Sequence, residues 1–176
     1  MNTSTLYRIT ASYSSGGHPI TSDRQYEMLG EEGSRLYVNR ADAESTVEDM
    51  QDDVEELGLD ESTTYAVEDV EISVHVRGVT VESNEDDDDT GNGGDHVVDA
   101  NVYLGVVCLR GTWNAKVEPG SNGERLAPSD DAIGVWSDAI TLADYDAEVA
   151  NVIGLAVLES VTQDQIVNAV SEAASR

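Results

Sequence analysis

The chain has 176 residues, with 36 Asp and Glu against nine Lys and Arg, for a formal net charge of −27. This length is enough for one domain or two small ones with a buried core, and a single cysteine, Cys108, excludes an internal disulfide. Lys116 is the only lysine, so the chain is poor in the cations that bind phosphates by displacing counterions; neither specific nucleic-acid binding nor an anionic membrane is expected.

Charge this high with modest hydrophobicity borders on the disordered class, yet apolar residues recur at strand or helix spacing over most of the chain. A solvated polyelectrolyte has no reason to keep that pattern, so a folded protein is expected. Residues 1–6 carry no positive charge ahead of an apolar run, which predicts no export by a signal peptide. The most apolar stretch, 149–161, is interrupted by Asn151 and Glu159 and is too short to span a bilayer.

In chain order, Tyr7, Ile9, Ala11 and Tyr13 alternate with Arg8, Thr10 and Ser12, predicting a half-buried strand over 6–14. A turn at 14–19 follows, then a short helix capped within 21–23 and ending at Gly30, and a short strand at 35–39. Ala43, Val47, Met50, Val54 and Leu57 form one stripe on an otherwise acidic segment. This predicts a helix over 40–57, capped by Asn39 or Asp42 and stopped at Gly58. A strand at 63–68 completes an N-terminal β-α-β order.

From Val70 the alternation Val70, Ile72, Val74, Val76 changes phase to Val79 and Val81, which marks Gly78 as a β-bulge. Beyond an acidic insertion at 83–96, Val98, Ala100, Val102, Leu104, Val106 and Cys108 alternate without interruption. The strands at 70–81 and 97–109 are expected to pair as a long hairpin, with Cys108 on the apolar face. A third strand is expected at 112–117, then loop-rich connections at 118–123 and 127–131, and an ambiguous segment at 133–142. The largely apolar stretch 143–160 predicts a buried helix, and Thr162 with Gln165 has capping-box spacing that starts a second one, to about residue 174. The predicted fold is α+β: an antiparallel sheet with a long β-hairpin, one amphipathic helix in the N-terminal half and C-terminal helices. The chain is read as one α+β unit, 1–176, with a subdivision into 1–68 and 69–176 as the alternative.

The run from Glu85 to Asp95 has the oxygen-rich chemistry that hard divalent cations take. Counting from Asp88, oxygen-bearing side chains fall at positions one, three, five and twelve (Asp88, Thr90, Asn92, Asp99), with Gly93 at six, a register similar to an EF-hand loop. It departs from that pattern in Thr90, in Asp95, in an aspartate at position twelve and in its flanking strands. Asp88, Asn92 and Asp99 are therefore the candidate ligands of a Ca or Mg ion, and a solvated hairpin tip is the other reading. His18, His75 and His96 match no metal pattern. His75 and Arg77, with Glu71 and Ser73, form a polar strand face suited to ion pairs, and Cys108 reads as a small buried hydrophobe. No nucleophile elbow, Walker A sequence or dinucleotide-binding glycine pattern occurs, so the chain is expected not to be an enzyme.

One lysine, arginine as the remaining base, a pI near 4.1, no Phe and a core drawn from Val, Ala, Ile and Leu resemble, by composition, the proteins of salt-in haloarchaea or their tailed viruses. At about 1 M salt the Debye length is roughly 3 Å, so carboxylate repulsion that opposes folding in dilute buffer is screened. The resemblance implies the cytoplasm of a salt-in halophile or an assembled virion as the location. The long hairpin and the apolar C-terminal helix, read as surfaces for other subunits, make a structural or assembly protein, a capsid or tail component of a haloarchaeal tailed virus, one expected function. Tail-tube and head-tail proteins of such viruses similarly combine a β-framework, a protruding hairpin and a packing helix. Its partners would then be copies of itself or other structural subunits. The alternative is a small cytoplasmic haloarchaeal enzyme or ligand-binding protein whose site is assembled from distant residues.

Overall fold

The computed structural model describes residues 5–13, 36–56, 63–81, 96–105, 107–120, 123–128, 134–136 and 146–175. The expected turn at 14–19, the helix before Gly30, the stop at Gly58 and most of the acidic insertion lie outside the described residues. The chain forms two compact units, Met1–Glu71 and Ile72–Arg176, and the fold is α+β, with antiparallel strand pairing and its helices in the expected places.

In the first unit, β1 (Thr5–Tyr13) pairs antiparallel with β2 (Leu36–Tyr37) and with the first half of β3 (Thr63–Val81). The helix α1 (Arg40–Glu56) lays its apolar stripe on this sheet. Ile9, Tyr37 and Ala43 are buried there, with Tyr7, Val47, Met50, Tyr65 and Val67 packed around them. The helix begins at Asn39, whose carbonyl accepts from the Ala43 N–H at 3.4 Å while its side-chain amide donates to Asp42. Arg40 fastens the first turn. It donates to Glu44 at 2.8 Å and to Asp69 of β3 at 2.9 Å, and its guanidinium lies 5.9 Å from the Tyr7 ring centre. The hydrogen bond to Glu44 raises the Arg40 pKa above the usual arginine value, against a smaller desolvation effect. Arg8 and Glu68, directly opposite in register, form a 3.0 Å ion pair across β1 and β3.

In the second unit, the rest of β3 pairs with β4 (His96–Leu104), β4 with β5 (Val107–Gly120), and β5 with both β6 (Gly123–Pro128) and β7 (Gly134–Trp136). The β3–β4 register shifts between Val76 and Gly78, the expected bulge. It keeps Val79 and Val81 on the face already used by Ile72, Val74 and Val76. Two helices follow: α2 (Ala147–Glu159) and α3 (Gln163–Ala173). Thr162 caps α3 in a reciprocal capping box with Gln165. The core of this unit joins Val98, Val102, Leu109 and Trp113 of the sheet to Val149, Ile153 and Val157 of α2 and Ile166 of α3.

Three details differ from the sequence reading. Residues 63–68 and 70–81 are one strand of 19 residues. Its first half packs Tyr65 and Val67 with α1, whereas Val70 is buried on the opposite face, and this change of face made one strand read as two. The alternation 98–108 is broken by a tight turn at Gly105, whose φ is +64°. Leu104 pairs with Val107, so the buried positions change from even to odd numbers and Cys108 falls on the face away from the helices. Finally, β5 runs on to Gly120 and β6 occupies 123–128, where loop was expected.

Candidate interaction surface

The sheet of the second unit has two chemically distinct faces. On the helix side lie Val98, Ala100, Val102 and Leu104 of β4 and Leu109, Trp113 and Ala115 of β5, all buried. His96 belongs here, 3 % exposed, in register with Val81 and Ala115; it is a core histidine at the start of β4. The close approach of α2 is fixed at Gly154, where a Cβ would lie 3.8 Å from Trp113 Cδ1.

The outer face is built from the alternate residues. Ser73, Tyr103 and Cys108 form one row across β3, β4 and β5, His75, Asn101 and Arg110 the next, and Asp99 with Thr112 another. Toward the β5–β6 end follow Lys116 and the Glu118–Arg125 pair. Alternation gathers the bases: of the five Lys and Arg in residues 72–176, Arg77, Arg110, Lys116 and Arg125 all lie on this face and are exposed. Arg77 pairs with Asp99 at 3.4 Å and Arg125 with Glu118 at 3.0 Å. Arg110 and Lys116 make no ion pair with the described residues. The same 105 residues carry 19 Asp and Glu, whereas on this face the described bases outnumber the described carboxylates, Asp99 and Glu118. The helix side is the contrast: α2 and α3 contain Glu148, Glu159, Asp164 and Glu172 and no base.

Of the candidate cation ligands, Asp88 and Asn92 lie outside the described residues. Asp99 is on β4, half-buried and paired with Arg77, so a cation there would have to compete with the guanidinium. No group of three or more His, Cys, Asp or Glu side chains comes together among the described residues. Cys108 is half-buried, its thiol 4.0 Å from the Leu109 carbonyl. A shallow depression of about 410 Å³ is lined, among the described residues, by Asn168, Ser171, Glu172 and Ser175, all from α3 and its C-terminus. Apolar side chains are also exposed on the helix pair, with Leu155 at 39 %, Val167 at 51 % and Val170 at 46 %. No helix among the described residues is long and apolar enough to cross a membrane.

The basic face was not assembled by sequence reasoning, although its signal is present in β5. There Arg110, Thr112, Asn114 and Lys116 alternate with Leu109, Gly111, Trp113 and Ala115, and the turn at Gly105 decides which set meets the helices.

The chain matches no protein-family model, no curated protein and no solved structure.

Proposed function

We propose that this chain is a non-enzymatic structural or assembly protein of an extreme halophile, a capsid or tail component of a haloarchaeal tailed virus. The observation that carries the reading is the two-sided apolar character of the C-terminal helix pair. One side of α2 and α3 is spent on the sheet through Val149, Ile153, Val157 and Ile166, and the other keeps Leu155, Val167 and Val170 at the surface. Val167 and Val170 are one helical turn apart and so lie side by side. In a chain whose surface is otherwise crowded with carboxylates, adjacent exposed valines favour a contact with another subunit over solvation. The acidic composition supports the setting: brine screens the repulsion between like-charged copies that dilute buffer would leave in place.

The test is mass in solution. Light scattering in molar KCl is expected to give a multiple of the 18.8 kDa chain, and Val167→Asp with Val170→Asp is expected to reduce it toward the single chain without loss of helical dichroism. A single-chain mass for the unmodified protein contradicts the assembly reading. Mass spectrometry of purified tailed particles tests the virion assignment, which requires the chain to be present in them.

A further inference from the structure

We infer that α3 is a two-fold contact between two copies of this chain, packed antiparallel so that Val167 of each copy meets Val170 of the other. The inference rests on the assembly reading above and names its surface, partner and geometry. Gln163, Val167, Val170 and Ala174 follow one another at intervals of four, three and four residues, and all are exposed. That spacing sets them on one stripe of the helix, the kind of seam through which two helices interlock side chains. Ile166 and Ala169, which α3 buries, lie off this stripe, so the seam is free while the helix stays seated on its own unit.

Charge favours a second copy at this seam. A two-fold contact sets a surface against itself, and in a chain of −27 that brings like charges together over most of the surface. The exposed side of α1 would oppose Glu44, Glu48 and Asp52 to the same three residues. Leu155 shares its face of α2 with Glu148 and Glu159, seven residues before it and four after, all exposed. The outer sheet face would oppose bases to bases. The α3 seam carries no charge and can meet its own copy. Antiparallel packing fits its ends: about an axis midway between Val167 and Val170, valine opposes valine and the long Gln163 opposes the small Ala174. A parallel pair would instead set Gln163 against Gln163 and hold the two exposed Asp164 side chains at one level, whereas the antiparallel pair separates them by about 13 Å along the helix. The last turn of α3 has no base, and in the antiparallel pair each C-terminal end lies beside the other copy's N-terminal end, so the helix dipoles attract. Because the seam itself is uncharged, molar salt, which screens ion pairs, leaves the contact in place.

The experiment is disulfide trapping in molar KCl, with Cys108→Ala in every chain so that only introduced thiols react. One variant carries Gln163→Cys and the other Ala174→Cys; each alone and their equimolar mixture are oxidised and run on non-reducing gels. Opposed positions bring two Cα atoms within disulfide reach, so the mixture is expected to give at least about fivefold more covalent dimer than either variant alone. Val167→Ala with Val170→Ala, which keeps the helix and needs no thiol, is expected to raise the dissociation constant measured by light scattering about tenfold or more, with unchanged far-UV dichroism; it decides the matter if a cysteine variant does not fold. Three results overturn the inference: either cysteine variant alone trapping as much dimer as the mixture, which is the parallel arrangement; an assembled mixture that traps none, which puts the contact elsewhere; or the alanine pair assembling as the unmodified protein does. An unmodified protein that is itself a single chain overturns the assembly reading as well, and that outcome is distinct from the other three, in each of which the protein assembles.

Discussion

Trp113 is the largest fully buried side chain among the described residues of the second unit, 1 % exposed and opposite Val98 in the sheet. Its indole N–H is buried with no acceptor among the described residues, and a buried donor without a partner costs about 1–3 kcal/mol. Trp113→Ala is expected to destabilise by about 3–5 kcal/mol, and Trp113→Phe by much less, since it removes the buried donor along with part of the volume; urea unfolding in molar KCl measures both. Gly154 sits across from it. A glycine inside a helix costs about 1 kcal/mol relative to alanine, and the 3.8 Å from its notional Cβ to Trp113 is ordinary contact. Gly154→Ala is therefore expected to raise the melting temperature, whereas Gly154→Leu is expected to lower it by overpacking; a destabilising alanine would mean that the helix–sheet approach is tighter than described. At this scale the sequence was readable where periodicity alone decides the face, as for Val98 and Val102. It misled at Cys108, because the single left-handed residue Gly105 reverses the parity of everything after it.

Among the elements, the helices were the most legible. The stripe from Ala43 to Leu57 placed a helix at 40–57 and the structure has Arg40–Glu56; Thr162 and Gln165 marked the start of α3 and form its capping box. Side-chain spacing and caps are local signals, which is why they survive without knowledge of the tertiary fold. The strands were less so. In β3, Tyr65 and Val67 pack with α1 while Val70 is buried on the opposite face, a property of what packs on the strand rather than of its own residues. The β5–β6 hairpin runs through Pro119 and Gly120, residues that read as loop. Of the cation candidates only Asp99 is described, and its pairing with Arg77 across the bulge depends on a register shift that spacing in sequence does not reveal. An element-scale test follows from the core. Val149, Ile153, Val157 and Ile166 cover the sheet over Val98, Leu109 and Trp113, so deleting residues 144–176 bares an apolar sheet face. Aggregation or loss of structure is expected on gel filtration, and a soluble truncated chain of unchanged melting temperature would show that the helices are dispensable.

Across the whole molecule, charge dominates. The first unit engages Arg8 with Glu68 and Arg40 with Glu44 and Asp69, and the second gathers four of its five bases on one sheet face, yet the chain has 36 carboxylates against nine bases. The three described helices each have an acidic residue in the first turn and no base in the last, so none of them uses a cation to oppose its C-terminal dipole. Exposed ion pairs contribute at most about 1 kcal/mol each and cannot offset repulsion summed over the surface. Screening by concentrated salt can. Thermal unfolding followed by far-UV circular dichroism, from molar KCl down to tens of millimolar, tests this most directly. The melting temperature is expected to fall steeply as salt is withdrawn, with structure lost at the low end; a melting temperature unchanged across the range would contradict the account of a protein built for brine.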